Sequence, residues 1–122
     1  MTFIFKKLDH IQIAAPKHSE NLARSFYGGI LGFQELEKPE ALKRNGGAWF
    51  ISGQIQLHIG IEDPFVPARK AHPAFEVENL HALQLHLTKN AIDYIEDDLL
   101  PGARRIYVFD PFGNRIEILE WL

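Results

Sequence analysis

A chain of 122 residues, 46% hydrophobic and with nine Phe, is long enough to bury one core and too short for several. The formal charge of −3 argues against non-specific nucleic-acid binding and gives no membrane-surface signal. The lack of cysteine excludes disulfides and thiolate metal sites. Any metal must therefore be held by His, Asp, Glu or water. The opening Met-Thr-Phe-Ile-Phe-Lys-Lys lacks the apolar core and cleavage site of a signal peptide, and no apolar run approaches a membrane span. A soluble cytoplasmic protein is expected.

In chain order, Leu8 to Ala15 reads as a strand ended by Pro16, with Ile11 and Ile13 on one face and His10, Gln12 and Ala14 on the other. Ser19 and Glu20 suit the start of a helix carrying Leu22, Phe26 and Ile30 every four residues. Gly28, Gly29 and Gly32 predict its end. Phe33 to Glu37 reads as a strand and Pro39 to Gly47 as a loop. Ala48 to Ser52 and Ile55 to Ile61 are two further strands hinged near Gly53. In the second, Gln54, Gln56, His58 and Gly60 share the face opposite the isoleucines.

Residues 63–71, with Pro64 and Pro67, have no periodicity and mark an internal boundary. The pattern then restarts. His72 to Val77 is a strand, and Asn79 caps a helix carrying Leu80, Leu83 and Leu87. Ile92 to Ile95 is a short strand, and Arg105 to Glu120 is a hairpin turning at Asp110-Pro111-Phe112-Gly113. Each half therefore reads strand, helix, strand, strand, strand, a repeat of elements with little residue identity. The expected fold is α+β: two tandem βαβββ modules, about 5–62 and 72–122, joined by a linker at 63–71. Their sheets form a cupped, partly open barrel with the helices outside.

Aligning the halves pairs His10 with His72 and His58 with Glu117. The separations are similar, 58 − 10 = 48 and 117 − 72 = 45 residues. A pseudo-twofold relation brings the four to one spot, where three imidazoles and a carboxylate suit a divalent metal such as Zn, Ni, Mn, Co or Fe. Glu117 sits between Ile116 and Ile118 in a strand that should be largely buried, and a buried carboxylate needs a counter-charge. Arg105 or Arg115 offers that as readily as a metal does. His18, His81 and His86 fall outside the pattern and are expected at the surface.

Three stretches resemble the vicinal oxygen chelate superfamily, which includes glyoxalase I, extradiol dioxygenases, fosfomycin-resistance thiol transferases and bleomycin-resistance proteins. They are Leu-Asp-His-Ile-Gln-Ile-Ala-Ala-Pro at 8–16, Phe-Tyr-Gly-Gly-Ile-Leu-Gly-Phe at 26–33 and Phe-Asp-Pro-Phe-Gly-Asn-Arg-Ile-Glu-Ile at 109–118. The resemblance implies a cupped sheet around a divalent metal. It also implies a homodimer, often with modules paired between chains so that both build each site. His10, His72 and Glu117 match the two-His, one-carboxylate set of the thiol transferases and dioxygenases. His58 falls where glyoxalase I has a fourth ligand, usually Glu. Tyr107 stands ten residues before Glu117, as a substrate-contacting Tyr does in the fosfomycin enzymes, but Asp97 to Arg104 lacks their potassium-binding pattern.

The function this implies is a lactoylglutathione-lyase-like metalloenzyme acting on a small oxygen-chelating substrate through a metal-stabilised enolate or alkoxide. His58, Glu117 and Tyr107 would be its catalytic groups. Arg105 would hold an anionic group of the substrate, and Gln12, Gln56, Trp49, Phe50 and Phe109 would line the pocket. The alternatives are an extradiol-type dioxygenase and a metal-free binding protein of the bleomycin-resistance kind.

Overall fold

A computed structural model describes residues 2–122. Four strands of the first half, β1 (Ile11–Ala15), β2 (Gln34–Leu36), β3 (Ala48–Ser52) and β4 (Ile55–Ile61), form one mixed sheet in the order β1-β4-β3-β2. Four of the second half, β5 (Ala74–Glu76), β6 (Ile95–Asp97), β7 (Ala103–Phe109) and β8 (Arg115–Trp121), form the other in the order β5-β8-β7-β6. In each sheet the first and last strands run parallel and the remaining pairs antiparallel, so the repeat of elements is also a repeat of topology. The sheets remain separate and do not close into a barrel.

Alternation decides which side of each strand meets the core. Phe50, Leu57 and Ile59 of the first sheet, and Phe75, Ile106, Val108, Ile116 and Ile118 of the second, join one apolar cluster. Helix α1 (Glu20–Ala23) and the seven-residue π-helix that continues it, Arg24–Ile30, add Ala23, Phe26 and Tyr27 to that cluster; helix α2 (Leu80–Lys89) adds Leu80 and Leu87. Two hydrogen bonds tie the halves at the motifs that stood out in the sequence. The Tyr27 hydroxyl donates to Asp110 Oδ2 at 2.7 Å, and Asn114 Nδ2 donates to the Ala14 carbonyl at 2.7 Å. Burial, reinforced by the Asp110 carboxylate, pushes the Tyr27 phenol far above its usual range.

Several elements differ from the expected ones. The wider winding of the π-helix, with Leu31 N–H bonded to the Phe26 carbonyl, breaks the four-residue stripe, so Leu22 is 57% exposed while Tyr27 is buried. Ser19 does not cap the helix: its Oγ is buried without a hydrogen-bond partner. Within the expected loop, Glu40–Asn45 winds into a 3-10 helix. The first strand starts at Ile11, leaving residues 2–10 irregular and exposed, with Phe5 at 93%. The strand expected over 92–95 lies instead at Ile95–Asp97. No helix among the described residues is long and apolar enough to cross a membrane.

Asn79 does cap α2, its side chain accepting from the Ala82 N–H at 3.0 Å. Glu120 of β8 adds a second acceptor, taking the Asn79 and Leu80 N–H groups at 2.7 and 3.0 Å. Those two bonds hold the Glu120 carboxyl below its ordinary 4.5. A depressed carboxyl stabilises the fold above its unfolded-state value, and that contribution is lost as pH falls through the lowered value. Glu120→Gln should therefore unfold at lower urea than the parent near neutral pH, and the gap should narrow in acid, read from urea midpoints at about pH 7 and about pH 3.

Candidate metal and substrate site

The first half-site grows from strand register. Gln12 of β1 pairs with His58 of β4, and His58 pairs with Trp49 of β3, so one row crosses three strands on the face away from the core. The His58 ring lies between two others. Trp49 stacks on it at 3.9 Å and 3°, and His10 at 4.1 Å and 16°. Only 4% of His58 is exposed. That burial, with the neighbouring His10 next in weight, holds its pKa below 6.5 and keeps the imidazole neutral near neutral pH. Its Nε2 lies 3.3 Å from Gln56 Oε1. His10 Nδ1 faces Asp9 Oδ2 at 2.9 Å; with its proton there, His10 Nε2 is left as a lone pair.

The second half-site lies on the other sheet. His72 precedes β5 rather than lying in it, and its Nδ1 donates to the Lys70 carbonyl at 2.8 Å. Its Nε2 then faces Glu117 Oε1 at 2.9 Å. A carbonyl can only accept, so the Nδ1 proton is fixed and a neutral His72 aims a lone pair at a carboxylate. That pairing calls for a cation between or beside the two atoms, either a proton or a metal. Glu117, 7% exposed, stands opposite both Ala74 and Tyr107 in the sheet.

The ion-pair alternative for Glu117 is realised in part. Arg105 Nη1 reaches its Oε2 at 3.4 Å, but the shorter bond of Arg105 runs from Nε to Asp97 Oδ1 at 3.0 Å. Arg115 instead lies over the Tyr107 ring, 4.0 Å from its centroid. His72 meets the edge of the same ring at 5.8 Å.

The chain thus brings its four expected ligands together as two pairs, His10 with His58 and His72 with Glu117. Among the described residues, no three His, Asp or Glu gather within one chain in a metal-holding group. In kind, both pairs fit a divalent cation. The His58 imidazole is held neutral, His10 and His72 have their second nitrogens held by Asp9 and a backbone carbonyl, and the fourth donor is a carboxylate.

Tyr107 and Arg105 stand beside Glu117. Gln12 and Trp49 line one cavity, and Gln56 lines another with His10. Phe109, 48% exposed at the end of β7, carries the Arg115 register position. Phe50 does not line the pocket. It is fully buried against Tyr27, because adjacent strand residues face opposite sides and Trp49 takes the open one. The sequence reading missed Asp9 and Lys70, whose contacts orient the histidines. The Asp9-His10 adjacency was the available signal; nothing local points to a backbone carbonyl.

Residues 7–118 match the family model described as the Glyoxalase/Bleomycin resistance protein/Dioxygenase superfamily. Glyoxylase I 4 of Arabidopsis thaliana is 27% identical over 122 residues, covering 91% of this chain and 68% of that protein. A crystal structure of a glyoxalase family protein from Bacillus anthracis covers 100% of both chains at 46% identity, with a TM-score of 0.97. Another glyoxalase family protein, from Enterococcus faecalis, is 27% identical with a TM-score of 0.76, covering 95% of this chain and 98% of that one.

Proposed function

The chain belongs to the Glyoxalase/Bleomycin resistance protein/Dioxygenase superfamily, and from that membership we propose that it is a glyoxalase-like metalloenzyme whose site is completed between two copies. The observation that carries this reading is the pair of half-sites. Each is a two-donor set with at least one imidazole tied through its second nitrogen, His10 to Asp9 and His72 to Lys70, and the two sets lie on different sheets. A homodimer that sets the first sheet of one copy against the second sheet of the other unites His10 and His58 with His72 and Glu117. Phe3, Ile4 and Phe5, exposed in the segment that leads to His10, are apolar surface of the kind a second copy covers.

A divalent cation held by His10, His72 and Glu117 would supply a Lewis acid for the oxygens of a small chelating substrate, leaving the His58 lone pair free of the metal. His58, neutral and packed between two rings, serves as the group that takes and returns a proton. Tyr107 stands across the sheet from Glu117, with Arg115 over its ring. Gln12 and Trp49 line the wall on which substrate rests.

The test is elemental analysis of untagged dimer together with turnover of a methylglyoxal–thiol adduct. About one divalent ion per chain with isomerase turnover is the expected result. Metal with oxygen-dependent ring cleavage instead of isomerisation would favour the dioxygenase reading. No metal after incubation with Zn, Ni, Mn, Co and Fe would favour a binding protein and overturn this one.

A further inference from the structure

Beside the Trp49–His58 stack lies a cation with no carboxylate of its own. Lys38 is partly buried and its Nζ donates to the Gly46 carbonyl, which occupies one of its three N–H groups. Among the described residues, no carboxylate lies within ion-pair distance of it. The nearby acids are engaged elsewhere: Glu37 and Glu40 bind Lys43 at 2.7 and 2.9 Å, and Glu20 accepts from the Gly47 N–H at 2.8 Å. A partly buried ammonium with spare donors favours an external anion.

Lys38 lines a cavity of about 470 Å³ together with Gln12, Asn45, Trp49 and Gly60. Gly60 is what admits Gln12: a Cβ there would come within 2.6 Å of Gln12 Nε2. Gln12 and Asn45 offer amide donors, and Trp49 offers an apolar wall. The cavity adjoins the candidate proton-transfer group, since its wall residue Trp49 stacks on the His58 ring at 3.9 Å. Arg105, the anion holder expected from the sequence, has its charge met by Asp97 and Glu117.

We propose that this cavity binds the anionic group, a carboxylate or a phosphate, of a substrate whose remaining body is planar or apolar, with Lys38 as the specificity-determining cation. The inference rests on the proposed function in taking that substrate to reach His58.

The test uses Trp121→Phe protein, in which Trp49 is the remaining fluorophore of the two tryptophans. Benzoate, phenyl phosphate and neutral benzamide are titrated against its emission. At least one anion should bind about tenfold or more tighter than benzamide. Lys38→Met should erase that preference and Lys38→Arg should keep it. The preference should also survive Glu117→Gln, which removes a metal ligand, so the two readings fail separately. Equal binding of all three probes, a preference that persists in Lys38→Met, or one that disappears in Glu117→Gln would each overturn the proposal.

Discussion

Asp110→Ala should cost about 3–4 kcal/mol of unfolding free energy, the largest loss expected from any single change outside the apolar core. The carboxylate is 5% exposed and acts as a four-way acceptor. Its Oδ1 takes the Phe112 and Asn114 N–H groups at 2.9 and 2.8 Å; its Oδ2 takes the Tyr27 hydroxyl and Asn114 Nδ2 at 2.7 and 2.9 Å. Alanine removes the acceptor of four donors, leaving the Tyr27 hydroxyl and the Asn114 N–H buried without a partner while Asn114 Nδ2 keeps the Ala14 carbonyl, and it releases both Tyr27 from the first half and the β7–β8 turn from its brace. Asp110→Asn keeps the shape and one good acceptor, so its loss should be smaller, about 1–2 kcal/mol. Chemical unfolding of the two variants reads this directly. Equal losses would mean that the carboxylate charge, and not its acceptor geometry, is what matters there.

Glu117→Gln should have the opposite profile, with little effect on folding and a large one on metal. Glutamine fills the same volume, and Arg105 keeps its 3.0 Å bond to Asp97. Metal affinity should fall by about a hundredfold or more, because the one carboxylate donor is gone and an amide nitrogen or weakly basic oxygen takes its place. Equilibrium dialysis with circular dichroism on the same sample separates the two effects. Glu117→Gln that unfolds at the parent midpoint and still holds stoichiometric metal would remove Glu117 from the ligand set.

Local signals were the readable part of this chain. Asp-Pro-Phe-Gly announced a turn because an aspartate can bond the backbone ahead of it, and Asp110 does so twice. Asn79 announced a helix start for the same reason. The alternation around His58 placed it opposite Leu57 and Ile59, and the row formed with Gln12 and Trp49 follows from register once β4 is flanked by β1 and β3. Phe50 was misassigned because it and Trp49 were both given to the open face, which the period of two forbids.

Other features depend on contacts that periodicity does not encode. Gly28, Gly29 and Gly32 read as the helix end, and the helix does stop at Ile30 with Gly32 at positive φ just beyond, but the wider winding carries the backbone through Gly28 and Gly29 first. His72 was read within a strand, whereas it lies ahead of β5 and is oriented by the Lys70 carbonyl. The alignment of halves matched His10 to His72 and His58 to Glu117. It carried no information on how one sheet is oriented against the other, and that orientation divides the four residues into two pairs. Lys38 escaped notice for a related reason: a lysine in a charged loop looks solvated until the acids around it are seen bound to Lys43 and Gly47.

The proposal that two copies build each site is tested most directly by mixing defects. His10→Ala spoils the half-site on the first sheet and Glu117→Gln the one on the second, so neither homodimer should hold metal. The purified heterodimer of the two variants pairs the intact first sheet of one chain with the intact second sheet of the other. It should bind one divalent ion per dimer. A heterodimer that holds none, where the wild-type dimer holds two, would contradict a site shared between chains.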